Sequence, residues 1–267
     1  MKHFHTFAIC AYRDSPYLEA CIRSVKMQSC PTHVILCTST PSPYIEKLAS
    51  AYKIPVLVRK GEGGIGQDWN FAYEMADSWY VTIAHQDDMY GKHYVEELKQ
   101  AVSRFPDTRL FTTDYVTVKN KKLARGERME WVKRFLRLPL RLPFLNHFPL
   151  VKKAALCFGN PICCPACTYK KEETIQEGRP FFNNSFRFAL DWERLITMAE
   201  GTGRFICVEK PLVYHRLHPD AATNICMKDH LRFEEERSMF ARLWPAAVVR
   251  FIMKFYQKAY DSYEISG

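Results

Sequence analysis

Between residues 4 and 113, short apolar runs of strand length alternate with segments whose apolar residues recur every three or four positions. No other feature restricts the fold of this chain as much. Phe4 to Cys10 reads as a first strand, Ser15 to Gln28 as a helix with Leu18, Ile22 and Val25 on one face, and Val34 to Cys37 as a second strand. A helix over Pro43 to Tyr52, a strand over Val56 to Val58, a Gly-rich turn at 61–66, a helix over Trp69 to Ala76 and a strand over Trp79 to Ala84 follow, then a helix over Lys92 to Arg104 and a strand over Leu110 to Thr113. Such alternation predicts an α/β fold: an open, mostly parallel sheet covered by helices on both faces and joined by right-handed crossovers.

Ligands of open α/β sheets lie beyond the carboxyl ends of the strands, which directs attention to the run Trp79 to Ala84 and the His85-Gln86-Asp87-Asp88 that ends it. Paired carboxylates there can hold a divalent cation or do acid/base chemistry. Asp88 can equally cap the helix that follows, and His85 can be a hydrogen-bonded structural imidazole. Gly63, Gly64 and Gly66 could allow a ligand close to the backbone, with Asp68 and Asn70 as hydrogen-bonding groups and Trp69 in the core.

After Asp114 the alternation breaks. Between Lys119 and Lys153 stand eleven basic residues against Glu127 and Glu130, an excess of +9 that equals the net charge of the whole chain. Trp131, Phe135, Leu136, Leu138, Leu140 and Leu142 are interleaved with the cations, and Pro139, Pro143 and Pro149 keep any helix short. The pattern predicts a basic amphipathic insertion over 119–153 that docks on an anionic membrane surface, or alternatively a linker with its apolar side packed and its basic side in water. No nucleic-acid-binding motif accompanies the charge. Regular structure resumes near Asn160 to Tyr169, in a helix over Asp191 to Ala199 and in a strand over Phe205 to Val208, and a helical tail over 228–260 breaks at Pro245.

With 267 residues and 47% hydrophobic content the chain can bury a large core, which excludes disorder. No stretch approaches ~18 uncharged apolar residues, and the start has no signal-peptide pattern, so a cytoplasmic protein is expected, peripheral at the inner membrane face if the insertion docks there. Cys10, Cys21, Cys37 and Cys207 lie in apolar patterns and read as reduced packing residues, and Cys164-Pro-Ala-Cys167 lacks the second pair that a structural zinc site requires.

Several segments in order resemble the family 2 glycosyltransferases: Ala11-Tyr12 with Tyr17-Leu18, Cys21-Ile22, Ser24-Val25 and Gln28; Gly64-Ile-Gly66 with Asn70 and Ala72; Asp87-Asp88 after a strand; Leu190-Asp191-Trp192-Glu193; and His215-Arg216-Leu217-His218 with Thr223. The resemblance covers about residues 4 to 224. It implies a GT-A-like fold and an inverting transfer of sugar from a nucleotide diphosphate to a hydroxyl of a saccharide or lipid-linked acceptor in cell-surface polysaccharide or glycolipid synthesis. It implies a donor half over 1–118, the basic insertion over 119–153, an acceptor-binding and catalytic half over 154–227 and a helical tail over 228–267. The donor would lie against Ala11, Tyr12, Arg13, Thr38, Gly64, Asp68, Asn70, His85, Gln86 and Arg216, and manganese or magnesium would be held by Asp87, Asp88 and His218. Asp191 would be the catalytic base, against a competing role as helix N-cap, and Glu193 an exposed first-turn acid.

Two positions depart from the family pattern. The second strand ends in Cys37-Thr38-Ser39-Thr40 instead of an acidic pair, and His85 replaces the first acid of the metal motif. These leave room for a different base or donor sugar, or for a degenerate, non-catalytic sugar-nucleotide-binding protein. His85 and Asp88, with a later histidine, also resemble the zinc ligands of sugar N-deacetylases, but three strands precede the motif and no Pro follows His85. Oligomeric state leaves no trace in the sequence.

Overall fold

The structure is a computed structural model that describes residues 2–119, 122–124, 128–171, 180–218 and 231–264. Its first half follows the predicted alternation: β1 (His3–Ala11), α1 (Leu18–Lys26), β2 (His33–Thr38), α2 (Pro43–Ala51), β3 (Val56–Val58), α3 (Ile65–Met75), β4 (Ser78–His85), β5 (Met89–Tyr90) and α4 (Tyr94–Arg104). The second half contains β6 (Thr108–Lys119), β7 (Lys122–Ala124), α5 (Arg128–Arg137), a 3-10 turn over Leu138–Arg141, α6 (Pro149–Leu156), β8 (Cys167–Lys170), α7 (Leu190–Glu200), β9 (Arg204–Leu217), α8 (Leu231–Leu243) and α9 (Ala246–Glu264).

One mixed sheet runs in the order β3-β2-β1-β4-β8-β6-β9-β5, with β7 paired to β6. β3, β2, β1 and β4 are mutually parallel, and β6 is parallel to β9, whereas β8 lies antiparallel between β4 and β6 and joins the two blocks. A buried polar seam fixes that junction. His5 is bonded at 2.8 Å to both Thr32 and Thr82, Thr82 to Thr168 at 2.6 Å, and the Tyr94 hydroxyl to Thr168 and to the Ala166 carbonyl at 2.9 Å. Burial drives the His5 pKa down to about 3, so the ring stays neutral and takes part as a hydrogen-bonding group.

Two strands outrun their sequence patterns. β6 continues five residues past Asp114 and β9 nine past Val208, because each supplies the other with hydrogen-bonding partners as far as Lys119 and Leu217. Register shifts flank Asp114, opposite Pro211, which has no N–H for the ladder. At this irregularity the Asp114 carboxylate, almost wholly buried, accepts the Tyr115 N–H at 3.0 Å and pairs with Arg137 at 2.6 Å and Arg134 at 2.9 Å.

That ion pair reverses the expected orientation of the basic insertion. Arg137 is 1% exposed, Lys152 is buried on the carbonyls of Gly201 and Gly203, Arg141 pairs with Glu209, and Lys133 reaches the Tyr115 hydroxyl at 3.5 Å. The alternative of a linker with its apolar side packed and its basic side in water does not describe α5. Lys133, Arg134 and Arg137 of α5, and Arg141 of the 3-10 turn, are directed toward β6 and β9, where Tyr115, the buried Asp114 and the edge residue Glu209 face them. The tail forms two helices broken at Trp244-Pro245, as the sequence predicts. Every cysteine among the described residues is free.

Removing one partner of a buried ion pair leaves the other charge without compensation. Asp114→Ala should therefore lower stability by ~3–5 kcal/mol in urea unfolding, and an unchanged midpoint would show that the Arg137 charge is accommodated some other way.

Candidate active site

The parallel registers Cys10 to His85 and Ala11 to Thr38 bring the carboxyl ends of β1, β2 and β4 level, and the crevice opens beyond them. The turn after β1 is held from two sides. Gln86 accepts the Tyr12 N–H at 3.0 Å and donates to the Tyr12 carbonyl at 2.9 Å, while Arg13, in the left-handed region at φ 55°, donates its N–H to Thr40 at 2.6 Å. Thr38 accepts the Thr40 N–H at 3.0 Å. Ala11, Tyr12, Arg13, Thr38 and Gln86 thus gather at one rim.

On the neighbouring rim, Asp68 in the first turn of α3 takes the Arg59 guanidinium at 2.7 Å and the Ser39 hydroxyl at 3.0 Å. Asn70, expected to face the donor, is 6% exposed and holds the chain at 182–184 instead. Its amide donates to the Phe182 carbonyl at 2.8 Å and to Asn184 at 2.9 Å, and accepts the Phe182 N–H at 2.7 Å. Gly66 serves the same contact, since a Cβ there would stand 2.7 Å from the Asn184 side-chain oxygen, whereas Gly64 would meet only the flexible end of Gln67.

β9 pairs with β5, Met89 opposite Tyr214 and Tyr90 opposite Val213, and so carries 215–218 up to the two carboxylates. Asp88 is buried. It accepts the Arg216 N–H at 2.8 Å, lies 3.2 Å from His215 Nδ1 and 3.9 Å from His85 Nδ1, and caps no helix, since His93 occupies the N-cap of α4. Burial opposes the Asp88 carboxylate, but the charge and hydrogen bond of His215, with His85 and the Arg216 N–H, outweigh it and hold the carboxyl below its ordinary pKa. Burial likewise opposes the His215 cation, and Asp88 more than offsets it, so His215 titrates above its ordinary value. Burial dominates at His85 and lowers its pKa.

Asp87 is more open. Its Oδ2 lies 3.1 Å from His218 Nε2, Ser15 donates to Oδ1 at 3.4 Å, and its backbone carbonyl accepts from Arg216 Nε at 3.0 Å. Tyr17 supports this edge, with the Arg216 guanidinium 4.4 Å above its ring and His218 at 5.1 Å. Asp87 and His218 offer one carboxylate and one imidazole side by side. That set fits a hard cation that keeps its waters and completes its shell with phosphate oxygens, because such ions need only one or two protein ligands. Asp88 has its oxygens engaged by Arg216 and His215 and is placed to orient these neighbours. Among the described residues no group of three His, Cys, Asp or Glu could hold a metal, so the deacetylase-type zinc set of His85, Asp88 and a later histidine is not assembled.

Asp191 stands in the first turn of α7. Ala189 is the N-cap of α7, and Asp191 is its second helical residue, which removes the capping role. The carboxylate accepts the Trp192 N–H at 2.7 Å and the Asn160 amide at 2.9 Å. Burial raises its pKa to about 6 even though those hydrogen bonds and the charge of Lys133 favour the ionised form. Cys164, also under the influence of Asp191, brings its sulfur within 3.8 Å of His85 Nε2, and Trp69 stacks on that ring at 4.9 Å. Trp69 therefore belongs to the crevice as well as the core. Thr223, part of the closing motif, lies outside the described residues.

Three contributors had no local signal, Arg59, Asn160 and Glu235, while Cys164 stood out only as half of a Cys-x-x-Cys spacing. Glu235 of α8 is 7% exposed and accepts the N–H groups of Arg187, Phe188 and Ala189, each at 2.8 Å. It thereby fixes the chain entering α7. In sequence it stands inside Glu234-Glu235-Glu236, a run that reads as a solvated face.

The mixed sheet, its antiparallel junction strand and this crevice define the GT-A type of glycosyltransferase fold. Residues 1–349 of S. aureus TarS in complex with UDP-GlcNAc superpose with a TM-score of 0.64 at 15% identity, covering 94% of this chain and 70% of that one. The mannosyltransferase PcManGT from Pyrobaculum calidifontis, in complex with GDP-Man and Mn2+, gives 0.62 at 12% identity, covering 91% and 64%. Glucosyl-3-phosphoglycerate synthase from Mycobacterium tuberculosis, in complex with Mn2+, UDP and glucosyl-3-phosphoglycerate, gives 0.61 at 13%, covering 91% and 80%. Against the longer TarS chain, this protein spans 39% of the length. No curated protein sequence matches. The sequence profile described as "Glycosyl transferase family 2" matches residues 6–175, and the chain belongs to that family of glycosyltransferases.

With three charge-assisted hydrogen bonds on one carboxylate, Glu235→Ala should cost at least ~2 kcal/mol in chemical denaturation, with Glu235→Gln intermediate because it keeps one acceptor oxygen. Equal stability of all three proteins would show that the 187–189 chain holds itself.

Proposed function

We propose that the crevice binds a nucleotide-diphosphate sugar and transfers the sugar, with inversion, to a hydroxyl of a saccharide or lipid-linked acceptor. The observation that carries this is the division of labour between two carboxylates. Asp87 is accessible beside His218 and Arg216, whereas Asp191 is desolvated in the first turn of α7 with its pKa raised to about 6.

The rim formed by Ala11, Tyr12, Arg13, Thr38, Gly64, Asp68, His85 and Gln86 would bind the nucleotide. Asp68 is already oriented by Arg59 and Ser39. Asp87 and His218 would hold manganese or magnesium, which when bound supplies Lewis-acid stabilisation of the leaving diphosphate. Arg216, seated on Tyr17, presents a fixed cation for phosphate oxygen. Asp88 would act through its neighbours, with its hydrogen bond from Arg216 and its contact with His215 keeping β9 against the carboxylate pair.

Asp191 would accept the proton of the acceptor hydroxyl as that oxygen attacks the anomeric carbon. A pKa close to the working pH is what a general base needs, and Asn160 with the Trp192 N–H fixes the direction in which its carboxylate points. A single base on the face opposite the leaving group gives one displacement and therefore inversion. Surface polysaccharide or glycolipid synthesis on the cytoplasmic side of a membrane is the setting we infer from the family. Among the described residues no helix is long and apolar enough to cross a membrane.

Turnover of a panel of UDP- and GDP-sugars with glycan acceptors tests this reading. Because Asp191 must be ionised, kcat/KM should fall as pH drops through about 6. Asp191→Asn should lose at least ~100-fold in kcat while its Tm stays level or rises, since a desolvated carboxylate is replaced by a neutral amide. Retained kcat in Asp191→Asn would remove the base assignment, and a lowered Tm with normal kcat would leave Asp191 a structural role only.

A further inference from the structure

With Lys133, Arg134 and Arg137 directed inward, the outer surface over residues 131–138 is apolar. Trp131, Phe135, Leu138 and Leu142 recur at steps of four, three and four along α5 and the 3-10 turn, with Val132 beside them. These side chains are 62%, 74%, 46%, 37% and 50% exposed respectively, and Phe144, Phe148 and Leu150 follow at 65%, 48% and 82%. The opposite stripe is polar and committed to the protein. Glu130 accepts from Thr117 at 3.0 Å, Lys133 meets Tyr115, Arg134 and Arg137 pair with Asp114, and Arg141 pairs with Glu209. Helices on soluble domains bury their apolar stripe and expose the polar one. Here the arrangement is inverted, and the exposed stripe is large on the scale of apolar patches that mark interaction sites.

We infer that this outer face of α5 and the following turn inserts into the interface of an anionic lipid bilayer. Two features select that occupant. Tryptophan, phenylalanine and leucine together are the side chains of an interfacial anchor. The charge is also complementary: the 119–153 stretch has eleven cations against its own Glu127 and Glu130, and even with Asp114, Glu200 and Glu209 set against it by the fold it remains positive. A second copy of the chain would place two such positive segments face to face, which like-charge repulsion disfavours. The driving force is insertion of apolar side chains, with anionic lipid adding attraction, because Arg134, Arg137 and Arg141 are engaged inside the fold.

Resting on the proposed transfer reaction, the docking face also narrows its acceptor. The inner side of the same helix borders the crevice: Lys133 reaches Tyr115, whose ring lies 6.2 Å from that of His215, and the Lys133 charge acts on the Asp191 carboxylate. A bilayer held against the outer side of α5 would stand one helix away from the proposed base. The acceptor class this favours is a membrane-anchored glycolipid.

The test is flotation of the full chain with vesicles of phosphatidylcholine alone and of an equimolar phosphatidylcholine–phosphatidylglycerol mixture, at low and high salt, with the emission of Trp131 followed against a Trp131→Phe control. Wild type should float with the mixed vesicles and keep a substantial bound fraction in high salt, with Trp131 emission shifting to the blue. Phe135→Glu, at a largely exposed position, should weaken partition at least roughly tenfold without loss of nucleotide-diphosphate binding. Absence of flotation, flotation unchanged in Phe135→Glu, or complete release by salt would overturn the inference. So would a wild-type dimer that dissociates in Phe135→Glu without any vesicle binding. Flotation by a protein that binds no nucleotide diphosphate would instead count against the transfer reaction and leave the docking face standing.

Discussion

Eleven register pairs between β6 and β9 hold the second half of the chain together, and the crevice depends on that parallel pairing. β9 runs on to meet β5, the two-residue strand that follows directly from Asp87-Asp88. His215, Arg216 and His218 are thereby delivered to carboxylates more than 120 residues earlier in the chain. The irregularity opposite Pro211 lets two long strands stay paired while turning Asp114 toward α5. A single strand pair thus organises both the proposed metal and phosphate edge and the helix that borders it.

Buried carboxylates act as joints throughout the molecule. Asp88 joins β9 to the end of β4, Asp114 joins α5 to β6, and Glu235 joins α8 to the entrance of α7. Each accepts backbone N–H groups or pairs with a cation, as a desolvated carboxylate must to remain ionised. Asp191 is the exception in degree. It too has two hydrogen bonds, yet burial prevails and its pKa rises to about 6, a combination that suits a proton acceptor better than a joint.

How much of this was legible in the sequence varies with the range of the forces involved. The N-terminal alternation could be read because helix and strand periodicities are local. The extensions of β6 and β9 could not, since Asp114 and Glu209-Lys210-Pro211 look like breaks until a partner strand supplies their hydrogen bonds. That Tyr12 lies near Gln86 and Asp87 near His218 followed from the order of motifs along the chain, although Thr38 stands where the family pattern is broken. Asn70 passed for a ligand contact because an amide near glycines suits either role, and only the fold shows its three bonds at Phe182 and Asn184. The orientation of α5 was hidden for a general reason: amphipathic patterning identifies two faces, but a buried acid on a distant strand decides which one turns inward.

Calorimetric titration of the protein with UDP and GDP, each with manganese, magnesium or neither, addresses the donor site most directly, with Asp87→Ala as the comparison. The account predicts diphosphate binding that requires one of these ions and disappears in Asp87→Ala. Binding that is equally tight without metal and in Asp87→Ala, or no binding of either nucleotide by a folded protein, would contradict it.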